Sequence, residues 1–209
     1  MTDYRRWDAP PLSLPEDPEA WHQLAAIGGW QAVVVDTGHD LAYDVVSSRH
    51  SGRSGISARW CSLPYAVPVL CAAATGEGVA ALQTAVMAAE ADGLPLQRTI
   101  IVLAATGEGR WPASVKAALT MLEPKVGALL RLEYDPRIRA QGVRDLARLK
   151  PRTRAVGRDL VQAALSLAHT TWGEPLPPAA VPAPLSEGKP LRVPVPDPAQ
   201  VGGIPRGQV

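Results

Sequence analysis

The sequence predicts an α/β fold of three layers, a mostly parallel sheet with helices on both faces. Three observations predict it. Short apolar runs rich in β-branched residues recur at 33–36, 69–74, 99–105 and 127–132. Runs apolar at every position, rather than at alternate ones, fit strands buried on both faces. Helix-period segments separate them, which implies helical crossovers and parallel pairing. Glycine-bearing turns punctuate the junctions, with Thr75-Gly76-Glu77-Gly78 and Thr106-Gly107-Glu108-Gly109 as near repeats.

Taken in order, residues 1–16 are rich in proline and charge and read as an irregular arm. Asp17-Pro18 is a helix start, with Asp as N-cap and Pro at the first helical position. A short helix then runs to Ile27 and stops at Gly28-Gly29. The 33–36 strand follows and ends on Asp36, at the edge of the sheet where open α/β proteins bind ligands. Residues 39–60 are polar, with a helical turn or two over 41–48, a loop over 47–57 and a short helix over 58–64. The second strand is expected at 69–74, a strong helix at 79–91 and the third strand at 99–105. The next helix has Pro112 near its start and ends at Leu122. The fourth strand, 127–132, leads into Glu133-Tyr134-Asp135-Pro136, read as a turn. Helices over 142–149 and 153–170 close the domain, which spans 17–172. Ten prolines fall in 173–209, so that tail reads as extended or disordered.

Composition sets limits. The chain has 209 residues and 46% hydrophobic content, without phenylalanine, so the core is expected to be built mainly of Val, Leu, Ala and Trp. A net charge of +1 gives no overall pull toward nucleic acid or membrane, and any such partner must meet a local patch. The two cysteines, Cys61 and Cys71, make no disulfide framework and fit either a reducing compartment or simply small buried residues. No apolar signal-like stretch opens the chain, and no run of about 18 apolar residues occurs. The expectation is a cytoplasmic protein with no membrane span.

Four features carry candidate chemistry. Asp36 with Thr37-Gly38 reads either as an acid that positions Mg²⁺ beside a nucleotide or as a turn cap. The twin Thr-Gly-Glu-Gly turns read either as backbone anion sites or as favourable strand-to-helix turns, with Glu suited to the helix dipole. Residues 137–158 hold eight basic side chains, including Arg144, Arg148, Arg154 and Arg158. Those four form two pairs at helical spacing, which reads either as a phosphate-binding stripe or as a solvated helix face. The histidines lack metal-ligand spacing with the cysteines, and no GxSxG elbow supports a hydrolase. No GxxxxGK[ST] phosphate loop occurs in the chain.

The series VVVDTG at 33–38, TGEGVAAL at 75–82, TIIVLAA at 99–105 and LLRLEYDPRIRAQGVRDLARLKPRTRAVGRDLVQAA at 129–164 resembles the C-terminal two-thirds of the MinD/ParA-like P-loop ATPases. The resemblance covers roughly residues 30–168 and implies an incomplete P-loop NTPase-like sheet of the SIMIBI type. By position it makes Asp36 the magnesium-side, Walker B-like acid and Thr37-Gly38 the start of a switch segment. Tyr134 and Asp135 fall in the loop beside the adenine. Two departures stand out. The phosphate loop with its lysine is missing, and Ala104-Ala105 stand where the family often has Asn. The resemblance therefore implies a pseudo-ATPase that does not hydrolyse ATP alone and acts through a protein partner or as a homodimer, as an accessory in positioning, partition or secretion. Two alternatives remain. One is the C-terminal part of an active ATPase that binds Mg-ATP once another chain or upstream residues complete it. The other is a DNA-associated module using the basic helices.

Overall fold

The computed structural model describes residues 17–28, 30 and 32–173. The expected arm and all but the first residue of the expected tail lie outside the described residues. Three strands, β1 (Val69–Ala73), β2 (Ile100–Ala104) and β3 (Ala128–Leu132), form one parallel sheet in the order β1-β2-β3. Seven α-helices accompany them among the described residues: α1 (Pro18–Ile27), α2 (Leu41–Ser51), α3 (Ile56–Ser62), α4 (Gly76–Ala91), α5 (Ala113–Leu122), α6 (Pro136–Gln141) and α7 (Pro151–Trp172).

The sheet's two faces are covered differently. Ile101 and Leu103 of β2 join Val79, Leu82 and Val86 of α4 and Val115, Ala118 and Leu119 of α5 in one core. Both crossovers step to the neighbouring strand, so α4 and α5 lie side by side on one face. Strand alternation sends Ile100 and Val102 to the opposite face, where they are also buried. There α7 packs across β3 and β2. Its C-terminal end is fixed at the base of the sheet by Trp172, which meets the Tyr65 ring at 5.3 Å and the Arg98 guanidinium at 4.8 Å. On this second face the side chains of Val69 and Cys71 in β1 stay exposed.

The strands expected at 69–74, 99–105 and 127–132 form as β1, β2 and β3. The strand expected at 33–36 does not form. Residues 32–38 adopt no regular structure, and Val33, Val34 and Val35 are exposed, Val34 at 95%. Apolar, β-branched composition favours a strand, but only a ladder partner satisfies its backbone groups. Here the run pairs with none of the described strands.

Three other differences have local causes. The loop expected over 47–57 is mostly helical, because α2 continues to Ser51 and ends on Gly52 at φ 65°. Asp135-Pro136 starts a helix rather than a plain turn, with Asp135 as N-cap of α6 and Pro136 at its first position. The helix expected over 142–149 shrinks to a single 3-10 turn, Leu146–Arg148, capped by Asp145. Arg144 and Arg148 therefore do not share a helix face, whereas Arg154 and Arg158 do, on exposed turns of α7.

Candidate functional site

In a parallel sheet the loops after the strands collect at the carboxyl edge, where ligands bind. Here that edge carries the turns after β1, β2 and β3. The two Thr-Gly-Glu-Gly turns share words but not geometry. After β1, Thr75 caps α4, its hydroxyl accepting from the Gly78 amide at 3.0 Å. Gly78 lies so close to the strand that a Cβ there would stand 2.4 Å from the Ala73 carbonyl oxygen. The turn closes on β1 and leaves no cradle beside Gly78. After β2, no helix starts at the motif. Residues 106–110 are exposed, Gly109 takes φ 118°, and α5 begins only at Ala113.

The turn after β3 is a closed polar knot. Asp135 is buried. Its carboxylate accepts from the Arg137 amide at 3.0 Å, the Lys150 amide at 2.9 Å and the Thr153 hydroxyl at 2.9 Å. The Lys150 amide leads those bonds in holding the carboxyl below its ordinary pKa, and they outweigh the burial that would raise it. The Tyr134 carbonyl accepts from the Lys150 ammonium at 3.0 Å. The Asp135 carboxylate and the Tyr134 carbonyl thus help hold β3, α6 and α7 together. Asp135 in particular keeps little acceptor capacity for a ligand.

Asp36, Thr37 and Gly38 are exposed, and Gly38 has nothing within 4 Å of an added Cβ. The Asp36 carboxylate is close enough to β1 to act on the Cys71 thiol. Partial burial raises that thiol's pKa, and the Asp36 charge raises it further. Among the described residues no group of three or more His, Cys, Asp or Glu side chains is placed to hold a metal ion. Nor does any lysine-bearing glycine loop supply the amides and charge that a triphosphate needs. The residues present thus do not fit Mg-ATP by themselves.

One cluster that sequence reading passed over lies next to this segment. His39 Nε2 is 2.8 Å from Ser57 Oγ. The Asp44 carboxylate accepts from the Ser57 amide at 2.8 Å and the Ile56 amide at 3.2 Å. Partial burial works against ionisation of Asp44, but the Ser57 hydroxyl and amide, the Ile56 amide and the His39 charge outweigh it and lower the pKa. Serine, histidine and aspartate are together, but the aspartate serves the serine and the amides that open α3. A relay would need it on the second histidine nitrogen. Ser57 is itself buried. The arrangement clamps α3 to α2, beside an open serine-lined depression of about 410 Å³ formed by Asp44, Ser47, Ser48, Ser51 and Ser54. Only the proximity of His39 to Asp36 in sequence hinted at it.

The basic residues gather on the segment that follows β3. Arg152 pairs with Glu133 at 3.0 Å, and Arg148 approaches Asp145 at 4.0 Å. Arg144, Arg154 and Arg158 are exposed and make no ion pair among the described residues. The fold and this edge define the class as an α/β domain with a three-stranded parallel sheet. Comparison of the chain with protein-family models, with curated proteins and with solved structures finds no match.

Proposed function

We propose that the chain is a partner-binding regulatory domain, a non-hydrolysing relative of the MinD/ParA-like ATPases that serves as an accessory in positioning, partition or secretion. One contrast carries this reading. At the carboxyl edge the Thr75 hydroxyl, the Asp135 carboxylate and the Tyr134 carbonyl close inward, while an apolar run, 33–35, stands in solvent. Exposed valines are a poor arrangement for nucleotide chemistry and a good one for a protein contact. The test is binding and turnover of Mg-ATP by the purified chain. The expected result is neither tight binding nor phosphate release, and steady turnover would overturn the reading.

A second reading rests on Arg144, Arg154 and Arg158. Cationic side chains that meet no acidic partner among the described residues suit a nucleic-acid backbone. This reading predicts binding that weakens steeply with salt.

A further inference from the structure

Between β3 and α7 the chain makes an excursion, residues 136–149, whose two ends are tied together at its base. The Asp135 carboxylate before it accepts from the Lys150 amide after it at 2.9 Å and from the Thr153 hydroxyl at 2.9 Å. The Lys150 ammonium in turn donates to the Tyr134 carbonyl at 3.0 Å. Leu149 is buried and seats the returning limb. Beyond that base every residue from 139 to 148 is exposed. The excursion is nevertheless ordered within itself. Its helix α6 ends on Gly142 at φ 66°, and the Asp145 carboxylate accepts from the Ala147 amide at 3.0 Å to start the 3-10 turn. Surface loops with tied ends and an ordered interior are a frequent carrier of binding function.

The exposed side chains are of two kinds. Arg137, Arg139, Arg144 and Arg148 are set against one acid, Asp145. Four arginines less one aspartate give the excursion a net charge of +3 in a chain of net +1, so the remaining residues sum to −2. Midway along it stand two aliphatic side chains, Val143 at 60% and Leu146 at 65% exposure. One exposed aliphatic residue is ordinary. Two of them three positions apart, each within two residues of an arginine, make an apolar centre with a cationic surround. Duplex DNA would take the arginines on its phosphates but leave Val143 and Leu146 in water unless a base step were unstacked. An anionic bilayer takes both kinds at once. The arginine heads meet lipid phosphates, and the aliphatic side chains enter the acyl boundary.

We infer that residues 136–149 are a docking loop for an anionic phospholipid surface, with Arg137, Arg139, Arg144 and Arg148 on headgroup phosphates and Val143 and Leu146 at the boundary of the acyl region. The attachment is peripheral and reversible, because a few arginines and two aliphatic side chains supply far less than a spanning helix does. No described helix is long and apolar enough to cross a membrane. Asp135 is a positioning residue that meets no lipid and keeps the two ends of the loop together. Because the loop follows β3, docking turns the carboxyl edge of the sheet toward the bilayer.

The test is flotation of the full chain with vesicles of phosphatidylcholine alone and of an equal mixture of phosphatidylcholine and phosphatidylglycerol. The chain is expected to float with the mixed vesicles at low salt, to be released as salt rises, and to stay behind with phosphatidylcholine alone. Arg144→Ala weakens partition about fivefold, and Leu146→Ser weakens it about tenfold. Both side chains are exposed, so thermal melts of the two variants stay at the wild-type position. Arg154→Ala with Arg158→Ala, on α7 outside the loop, weakens partition less than Arg144→Ala alone. Five results overturn the inference: no flotation with the mixed vesicles at low salt, equal flotation with phosphatidylcholine alone, a Leu146→Ser variant that floats like wild type, a larger loss from the α7 pair than from Arg144→Ala, or duplex DNA that displaces the vesicles and loses affinity with Arg144→Ala but not with Leu146→Ser, which makes nucleic acid the partner. The nucleotide assay is independent. Turnover of ATP would remove the non-hydrolysing reading and leave the flotation result standing.

Discussion

Replacing Gly78 by alanine tests how tightly α4 is set against β1. Gly78 lies in the first turn of α4. Its added Cβ would stand 2.4 Å from the Ala73 carbonyl oxygen and 3.1 Å from the Ala73 Cβ. Real Cβ atoms essentially never come closer than 3.0 Å, so helix and strand must separate by at least 0.6 Å (3.0 minus 2.4). Forcing that much into a packed junction costs about 1–3 kcal/mol. Replacing a helical glycine returns up to about 1 kcal/mol through lower chain entropy. Gly76, two residues earlier in the same turn, has nothing within 4 Å and shares only the gain. Gly76→Ala is therefore expected at or above wild-type stability. Gly78→Ala falls about 1–3 kcal/mol below Gly76→Ala. For a domain of this size that is a Tm difference of about 2–12 °C. Urea unfolding followed by tryptophan fluorescence and thermal melting by circular dichroism both measure it. If Gly78→Ala is as stable as Gly76→Ala, the turn is not closed on the strand, and room for a ligand beside α4 must be reconsidered.

Asp135 has a lowered folded pKa, so the stability it contributes is complete above the unfolded value of about 3.9 and is lost as pH falls through the lower, folded one. Asp135→Asn should destabilise the protein at neutral pH and flatten the acid limb of its stability curve, which urea midpoints between pH 2 and 7 measure; an unchanged acid limb would contradict the knot at β3. Asp36→Asn should speed alkylation of Cys71 by iodoacetamide, more at low salt than at high salt, because removing the negative charge lowers the thiol's pKa. Mass spectrometry should show Cys61 unaffected, since burial alone raises its pKa and Asp36 does not act on it. If the chain binds DNA, charge reversal of Arg154 and Arg158 should lower the slope of log affinity against log salt by about 2, and an unchanged slope would remove the α7 surface from that role.

Much of the architecture is local and was therefore legible in the residues. Uninterrupted apolar runs and glycine turns placed β1, β2 and β3 within a residue or so at each end. Helical periodicity placed α4, α5 and α7. Asp17-Pro18 announces α1, and the same Asp-Pro signal at 135–136 opens α6, where its place directly after a strand equally suits a turn. Other features depended on partners distant in sequence. The Asp135 knot needs Lys150 and Thr153, which lie 15 and 18 residues further on. The His39–Ser57 contact spans 18 residues. The identical words Thr-Gly-Glu-Gly become a closed helix start in one place and an exposed loop in the other, according to what the strand behind them packs against.

The sequence by itself determined the α/β class, three of the four expected strands and the absence of a lysine-bearing phosphate loop. These follow from composition, periodicity and spacing within a few residues. Only the tertiary structure decided that residues 33–36 stand outside the sheet and that, among the described residues, β1 pairs with β2 alone. The physical reason is that a strand is a property of a pair. Valine at three successive positions makes extended backbone favourable, but its N–H and C=O groups need a neighbour at ladder distance. Among the described residues the sheet ends at β1, before it reaches that run.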